Sequence, residues 1–145
     1  MKEVERSALV PFSVEQMFAV VNDVRAYADF LPWCDQSEVL EENDAEMIAR
    51  LSIARSGIRQ SFTTHNRLLS PTSIDIRLVD GPFSHLQGSW RFDPLGTEGC
   101  KVMMRLSFSF NNKLINLAVS RVFETAVDTM VDAFCERAGS LYGNA

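Results

Sequence analysis

The sequence predicts an α+β fold: a curved antiparallel sheet of about seven strands around one long C-terminal helix, with short helices after the first strand. Three observations carry this. Residues 58–110 alternate apolar and polar side chains in runs broken by turn residues, the period of half-buried strands. From Asn112 to about Tyr142 the period becomes helical, with Ile115, Ala118, Val119, Val122, Phe123, Ala126, Val127, Met130, Val131, Phe134, Ala138 and Leu141 in one broad apolar stripe. No glycine or proline interrupts residues 112–138, and a helix of ~28 residues, ~42 Å long, needs a partner surface that only the sheet supplies.

Each element has its own signal. Residues 3–10 alternate, Val4, Ala8 and Val10 sharing a face with Arg6, and read as the first strand. Ser13 is a good N-cap, and Gln16 three residues later completes a capping box for a helix carrying Met17, Phe18, Val20, Val21 and Val24. Arg25–Leu31 forms a second short helix that stops before Pro32, because the residue before proline avoids the helical region. Ser37–Leu40 and Met47–Ala54 are strands flanking an acidic hairpin tip, Glu41–Glu46. Residues 58–69 put Ile58, Gln60, Phe62, Thr64, Asn66 and Leu68 on one face. Ile74–Leu78, Leu86–Phe92 and Val102–Phe110 follow, separated by Asp80-Gly81-Pro82 and an expected loop over Asp93–Gly99.

Composition narrows the function. The 145 residues, 46% hydrophobic and 23% charged, contain no linker, repeat or low-complexity segment, so the chain reads as one domain over 1–145. A formal net charge of -5 makes free nucleic acid a poor partner for the molecule as a whole. Cys34, Cys100 and Cys135 are odd in number and far apart, which gives neither a disulfide framework nor zinc spacing. The N-terminus lacks a signal peptide and no apolar run reaches the ~18 residues of a membrane span, so a cytoplasmic protein is expected, at most peripheral to the inner membrane.

Catalytic signals are scarce. His65 and His85 fall on the outer face of their strands, without a nucleophile or metal-ligand partner at the right spacing. No glycine-rich phosphate loop is present. An enzyme would need inward polar groups, for which only Arg6, Gln60 and Asn66 are available. The expectation is therefore a non-enzymatic binding protein. A helix laid across a curved sheet leaves an internal gap suited to an elongated hydrocarbon ligand. The expected inner face carries Phe62, Trp90, Phe92, Met104, Leu106 and Phe108 from strands and Val127, Met130 and Phe134 from the helix. The outer sheet face carries Arg59, Arg67, Arg77, Arg91, Lys101 and Arg105, with Asp75 as the main counter-charge, a surface suited to phosphates of RNA or lipid headgroups. Asp128, Asp132 and Glu136 make an acidic column on the helix, pointing away.

Four segments, ALVPFSVEQMFAVVNDVRAYADFLPWC, VDGPFSHLQGSWRFDPL, FSFNNKLINLAVSRVF and MVDAFCERAGSLYG, resemble the coenzyme Q-binding protein and ribosome association toxin family. This family lies within the START-like, helix-grip (START/Bet v 1-like) superfamily, also called polyketide cyclase/dehydrase-like. Ala28 departs from the proline typical of the first segment, a local turn change. The resemblance implies two activities. Some relatives bind ubiquinone or related polyisoprenoid lipids as respiratory lipid chaperones. Others are toxins that bind the large ribosomal subunit and block subunit joining. It implies ligand contacts at Phe30, Leu31 and Trp33, in an apolar loop with Pro32 near the mouth of the cavity, alongside the inner-face residues above. No cofactor or metal is required, and ubiquinone is the expected ligand.

Overall fold

The computed structural model describes residues 2–55, 57–111 and 117–143. In chain order the elements are β1 (Lys2–Val10), α1 (Val14–Asn22), a 3-10 turn (Val24–Ala26), α2 (Tyr27–Phe30), β2 (Cys34–Glu42), β3 (Glu46–Arg55), β4 (Ile58–Leu69), β5 (Ser73–Asp80), β6 (Phe83–Leu95), β7 (Gly99–Phe110), α3 (Leu117–Ala138) and a π turn (Gly139–Gly143). The strands form one antiparallel sheet in the order β1-β7-β6-β5-β4-β3-β2. The chain thus meanders from β2 to β7, and β1 closes against the last strand.

Local chemistry explains the helix starts and stops. Gln16 N–H donates to Ser13 Oγ at 3.1 Å, and Ser13 N–H donates back to Gln16 Oε1 at 2.9 Å, satisfying two donors of the first turn. Leu31, which precedes Pro32, has φ -89° and ψ 114°, so α2 ends at Phe30. The Tyr27 hydroxyl donates to the Val21 carbonyl and ties the two short helices together.

α3 lies across the concave face, burying Val119, Phe123, Ala126, Val127, Val131, Phe134 and Ala138. Phe123 is enclosed by Phe62, Phe83 and Phe108, with ring centroids 6.0, 5.0 and 4.8 Å away. Phe134 packs edge-on against Trp90 and Tyr27, at 5.3 and 5.2 Å. Edge-to-face pairs at these distances suit the aromatic quadrupole. Gly88 lets β6 and β7 pack closely, because a Cβ there would lie 2.6 Å from Leu106 Cδ1 and 2.8 Å from the Arg105 carbonyl oxygen.

Boundaries differ from expectation in three places. β2 begins at Cys34, and Glu41, Glu42 and Glu46 extend their strands, so the tip is Asn43–Ala45. Asn43 Oδ1 accepts from Ala45 N–H and Glu46 N–H at 2.9 and 3.0 Å, an Asx-type turn that shortens the loop. The expected Asp93–Gly99 loop shrinks to residues 96–98, since Asp93, Pro94 and Leu95 pair with Lys101, Cys100 and Gly99. Gly96, at φ 65°, takes the left-handed turn position that this tight hairpin needs. The described part of the last helix runs over Leu117–Ala138, 22 residues and ~33 Å; the expected start over 112–116 lies outside the described residues, and the α-helix gives way to a π turn at Gly139 rather than continuing to about Tyr142.

Candidate functional site

Between α3, the Val24–Trp33 segment and the concave sheet lies a mostly apolar cavity of about 80 Å³. Of the ligand contacts expected from sequence, Trp33, Phe62, Trp90, Met104, Leu106 and Met130 line it. Leu31, Phe92, Phe108, Val127 and Phe134 do not; each is almost wholly buried in the packed core. Aromatic and aliphatic residues on the right face fill space as readily as they line it. Phe30 is half-buried on the outer surface. There it borders a groove of about 570 Å³ with Pro32, Thr129, Asp132, Ala133, Glu136, Arg137 and Ser140. The Arg137 guanidinium stacks over its ring at 4.9 Å, a cation–π contact that bridges α2 and α3.

The cavity also has walls that were not among the expected ligand contacts, among them Tyr27, Ala49, Leu51, Ile53, Ile76, Leu86, Phe123 and Ala126. Its lining includes the polar residues Thr64, Asn66 and Ser89, of which Thr64 and Asn66 are buried. Their even-numbered parity with Phe62 on β4 was the signal that turned them inward. The Thr64 hydroxyl donates to Asn66 Oδ1 at 3.0 Å, leaving the amide nitrogen as Asn66's remaining hydrogen-bonding group. Trp33 is 3% exposed, and its Nε1 has no hydrogen-bond partner. Among the described residues no carboxylate or histidine lines the cavity. Arg105 borders it from the floor, but its side chain belongs to the convex face, where Nε donates to Glu5 Oε1 at 2.7 Å. Tyr27, whose pKa is raised chiefly by burial, stays neutral.

The inward polar cluster that an enzyme reading needed is not assembled. Arg6 is exposed and paired with Asp128 of α3 at 2.7 Å, Gln60 lies opposite Ile53, and Asn66 bonds to Thr64. The thiols are poor nucleophiles. Burial pushes Cys34 and Cys100 up to about 11, and raises Cys135, so the reactive thiolate is scarce at neutral pH. Among the described residues no group of three His, Cys, Asp or Glu side chains could hold a metal.

On the convex face the basic residues lie where expected but are more heavily compensated, and Asp75 is not their main counter-charge. Arg59 pairs with Asp35 at 3.3 Å and Arg105 with Glu5. Arg67 sits in register between Glu46 and Asp75, and Lys101 lies opposite Asp93. Arg77 contacts His65 Nδ1 at 3.3 Å, and Arg91 lies opposite Ser73 and Met103. Arg67, Arg77 and Arg105 border a shallow depression of about 450 Å³; Arg91, Lys101 and Arg105 border another of about 370 Å³. Antiparallel register explains the neutralisation: directly opposed side chains favour opposite charge, which a linear reading of single strands does not see. On α3, Asp128, Asp132 and Glu136 are all exposed as expected, although Asp128 is tied to Arg6.

Residues 10–135 match the family model described as polyketide cyclase / dehydrase and lipid transport. The chain is 50% identical over 143 residues to the ribosome association toxin RatA of Vibrio cholerae, covering 99% of each chain. It is 32% identical to the mitochondrial coenzyme Q-binding protein COQ10 homolog B of Xenopus laevis, covering 97% of this chain and 59% of that one. The crystal structure of the ZhuI aromatase/cyclase from Streptomyces superposes with a TM-score of 0.82 at 23% identity, covering 94% and 93% of the two chains, which establishes the shared fold. The helix gripped by a seven-stranded sheet, the closed apolar interior and these likenesses together place the chain in the polyketide cyclase/dehydrase and lipid transport family, within its START-like branch of ribosome association toxins and coenzyme Q-binding proteins.

Proposed function

We propose that this protein binds a polyisoprenoid quinone of the ubiquinone class, without chemical conversion, between α3 and the concave sheet, and serves respiration as a lipid chaperone. The observation that carries the reading is the mostly apolar cavity walled by Trp33, Phe62, Trp90, Met104, Leu106 and Met130, with no carboxylate, histidine or cysteine in its lining among the described residues. The likeness to a coenzyme Q-binding protein supports it.

The cavity of about 80 Å³ is smaller than the ~150 Å³ that accommodates benzene and the ~300–1,000 Å³ of common ligand sites, so the ligand must widen it. The route of least resistance lies between α2 and α3. There Phe30, half-buried, packs on Phe134 at 5.6 Å and under Arg137. Displacing one ring and a surface cation costs less than parting strands of the sheet. Solvent extraction and mass spectrometry of purified protein test the function: a co-purifying quinone is expected, and failure to retain or take up any quinone defeats the reading.

A second reading, association with the large ribosomal subunit, is favoured by the 50% identity to a ribosome association toxin. Arg77 and Arg91 are exposed convex-face cations that have no carboxylate directly opposite in the sheet register. Sucrose-gradient sedimentation at low salt decides it. Co-sedimentation that falls steeply with salt, and is weakened by reversing charge at Arg77 and Arg91, is expected if the contact is electrostatic. Protein that stays at the top of the gradient rules it out.

A further inference from the structure

We infer that Trp33 is the specificity-determining donor of the cavity: its indole Nε1–H receives an acceptor oxygen of the ligand, so that the ligand binds ring-first with a ring carbonyl against Trp33. The inference rests on the quinone reading and adds the atom that recognises the headgroup.

The observation is an orphaned donor in a buried wall. Trp33 is 3% exposed and lines the cavity, yet Nε1 has no partner. A buried N–H without a partner costs about 1–3 kcal/mol. The surroundings anchor the Trp33 backbone without satisfying the indole. The Trp33 carbonyl accepts from Ala54 N–H at 2.8 Å, which ties its backbone to the end of β3. Ser37 Oγ, on the strand that follows, is also buried without a partner, and Ser37 lies opposite the cavity-lining Leu51. Unmet hydrogen-bonding capacity therefore gathers at the β2–β3 side of the cavity. Asn66, opposite Met47, presents its amide nitrogen farther along the wall, its oxygen accepting from Thr64.

A mostly apolar wall with spare N–H donors and no carboxylate among the described residues fits a neutral ligand that carries acceptor oxygens. A quinone ring, with two carbonyls and no donor of its own, matches that chemistry, whereas a plain isoprenoid hydrocarbon leaves the indole unpaired. The ring belongs at Trp33, and the tail belongs along the apolar wall of Leu106, Phe123 and Met130.

Calorimetric titration of the purified protein with ubiquinone-2, and with diprenylbenzene of the same chain and an oxygen-free ring, tests the assignment. The wild type is expected to bind ubiquinone-2 about three- to tenfold more tightly than diprenylbenzene, the range of one net hydrogen bond. Trp33→Phe is expected to remove that preference, bringing the affinities for the two ligands to within about twofold of each other. In the wild type, the ultraviolet resonance Raman band sensitive to indole N–H hydrogen bonding should shift with ubiquinone-2 and not with diprenylbenzene, a readout that survives if Trp33→Phe fails to fold. Equal affinity of the wild type for both ligands, an unmoved band, or full ubiquinone-2 preference in Trp33→Phe overturns the role of Trp33 and leaves quinone binding standing. Absence of wild-type binding to either ligand overturns both.

Discussion

At the residue scale, the positions that matter most are those where a single atom has no room or no partner. Gly88 is one. Its Cβ would meet a backbone oxygen as well as a side chain, so Gly88→Ala cannot be relieved by a rotamer change alone. Denaturant titration should show a loss of about 1–3 kcal/mol, the usual cost of overpacking. The buried thiols make a second prediction. Cys34 and Cys100 ionise near 9 when free and are pushed up to about 11 by burial, so the folded state holds its protons more tightly than the unfolded one. Their contribution to stability is complete below about pH 9 and is lost as pH rises through about 11. Urea midpoints should therefore fall across that window, and Cys34→Ala/Cys100→Ala should flatten the fall. Parity made Thr64 and Asn66 inward from sequence; that Trp33 lacks a partner depends on where β2 and β3 place its ring, which no local pattern encodes.

At the scale of elements, α3 is held by aromatic packing more than by charge. Phe134 touches Trp90, Tyr27 and Phe30 and is 1% exposed, so Phe134→Ala should cost about 3–5 kcal/mol in chemical denaturation. The Arg6–Asp128 pair between β1 and α3 is about half exposed at both ends, and Asp128→Asn should cost less than about 1 kcal/mol. Arg137 over Phe30 is different in kind, because it spans the seam through which we propose the ligand passes. Stopped-flow mixing with ubiquinone-2 should show a faster association rate for Arg137→Ala, while hydrogen exchange in the sheet stays unchanged. The helical stripe and the strand parities were legible in the sequence because they are periodic. The continuation of β6 through Pro94, and the extension of β2 back to Cys34, were not legible, because both rest on pairing with a neighbouring strand.

At the scale of the whole molecule, the interior is nearly closed, and ligand binding must couple to loosening of the helix against the sheet. Binding to the folded state alone adds stability by mass action, about 2.7 kcal/mol at a hundredfold excess over Kd. For a chain of this size that corresponds to a rise of about 5–10 °C in Tm. A thermal scan with and without ubiquinone-2 measures it, and an unchanged Tm at saturating ligand contradicts a site inside the fold. No helix among the described residues is long and apolar enough to cross a membrane.

The sequence alone determined the sheet order in outline, the helix that crosses it and the face each strand presents, because hydrophobic period, capping and turn chemistry are local and additive. Tertiary structure decided the rest. It chose which inner-face side chains wall a cavity and which merely fill the core, as between Trp90 and Phe92. It set carboxylates against most of the convex-face arginines and left one indole N–H in the wall unanswered. These outcomes turn on close approach between residues far apart in the chain, where free volume and charge pairing are properties of the packed assembly.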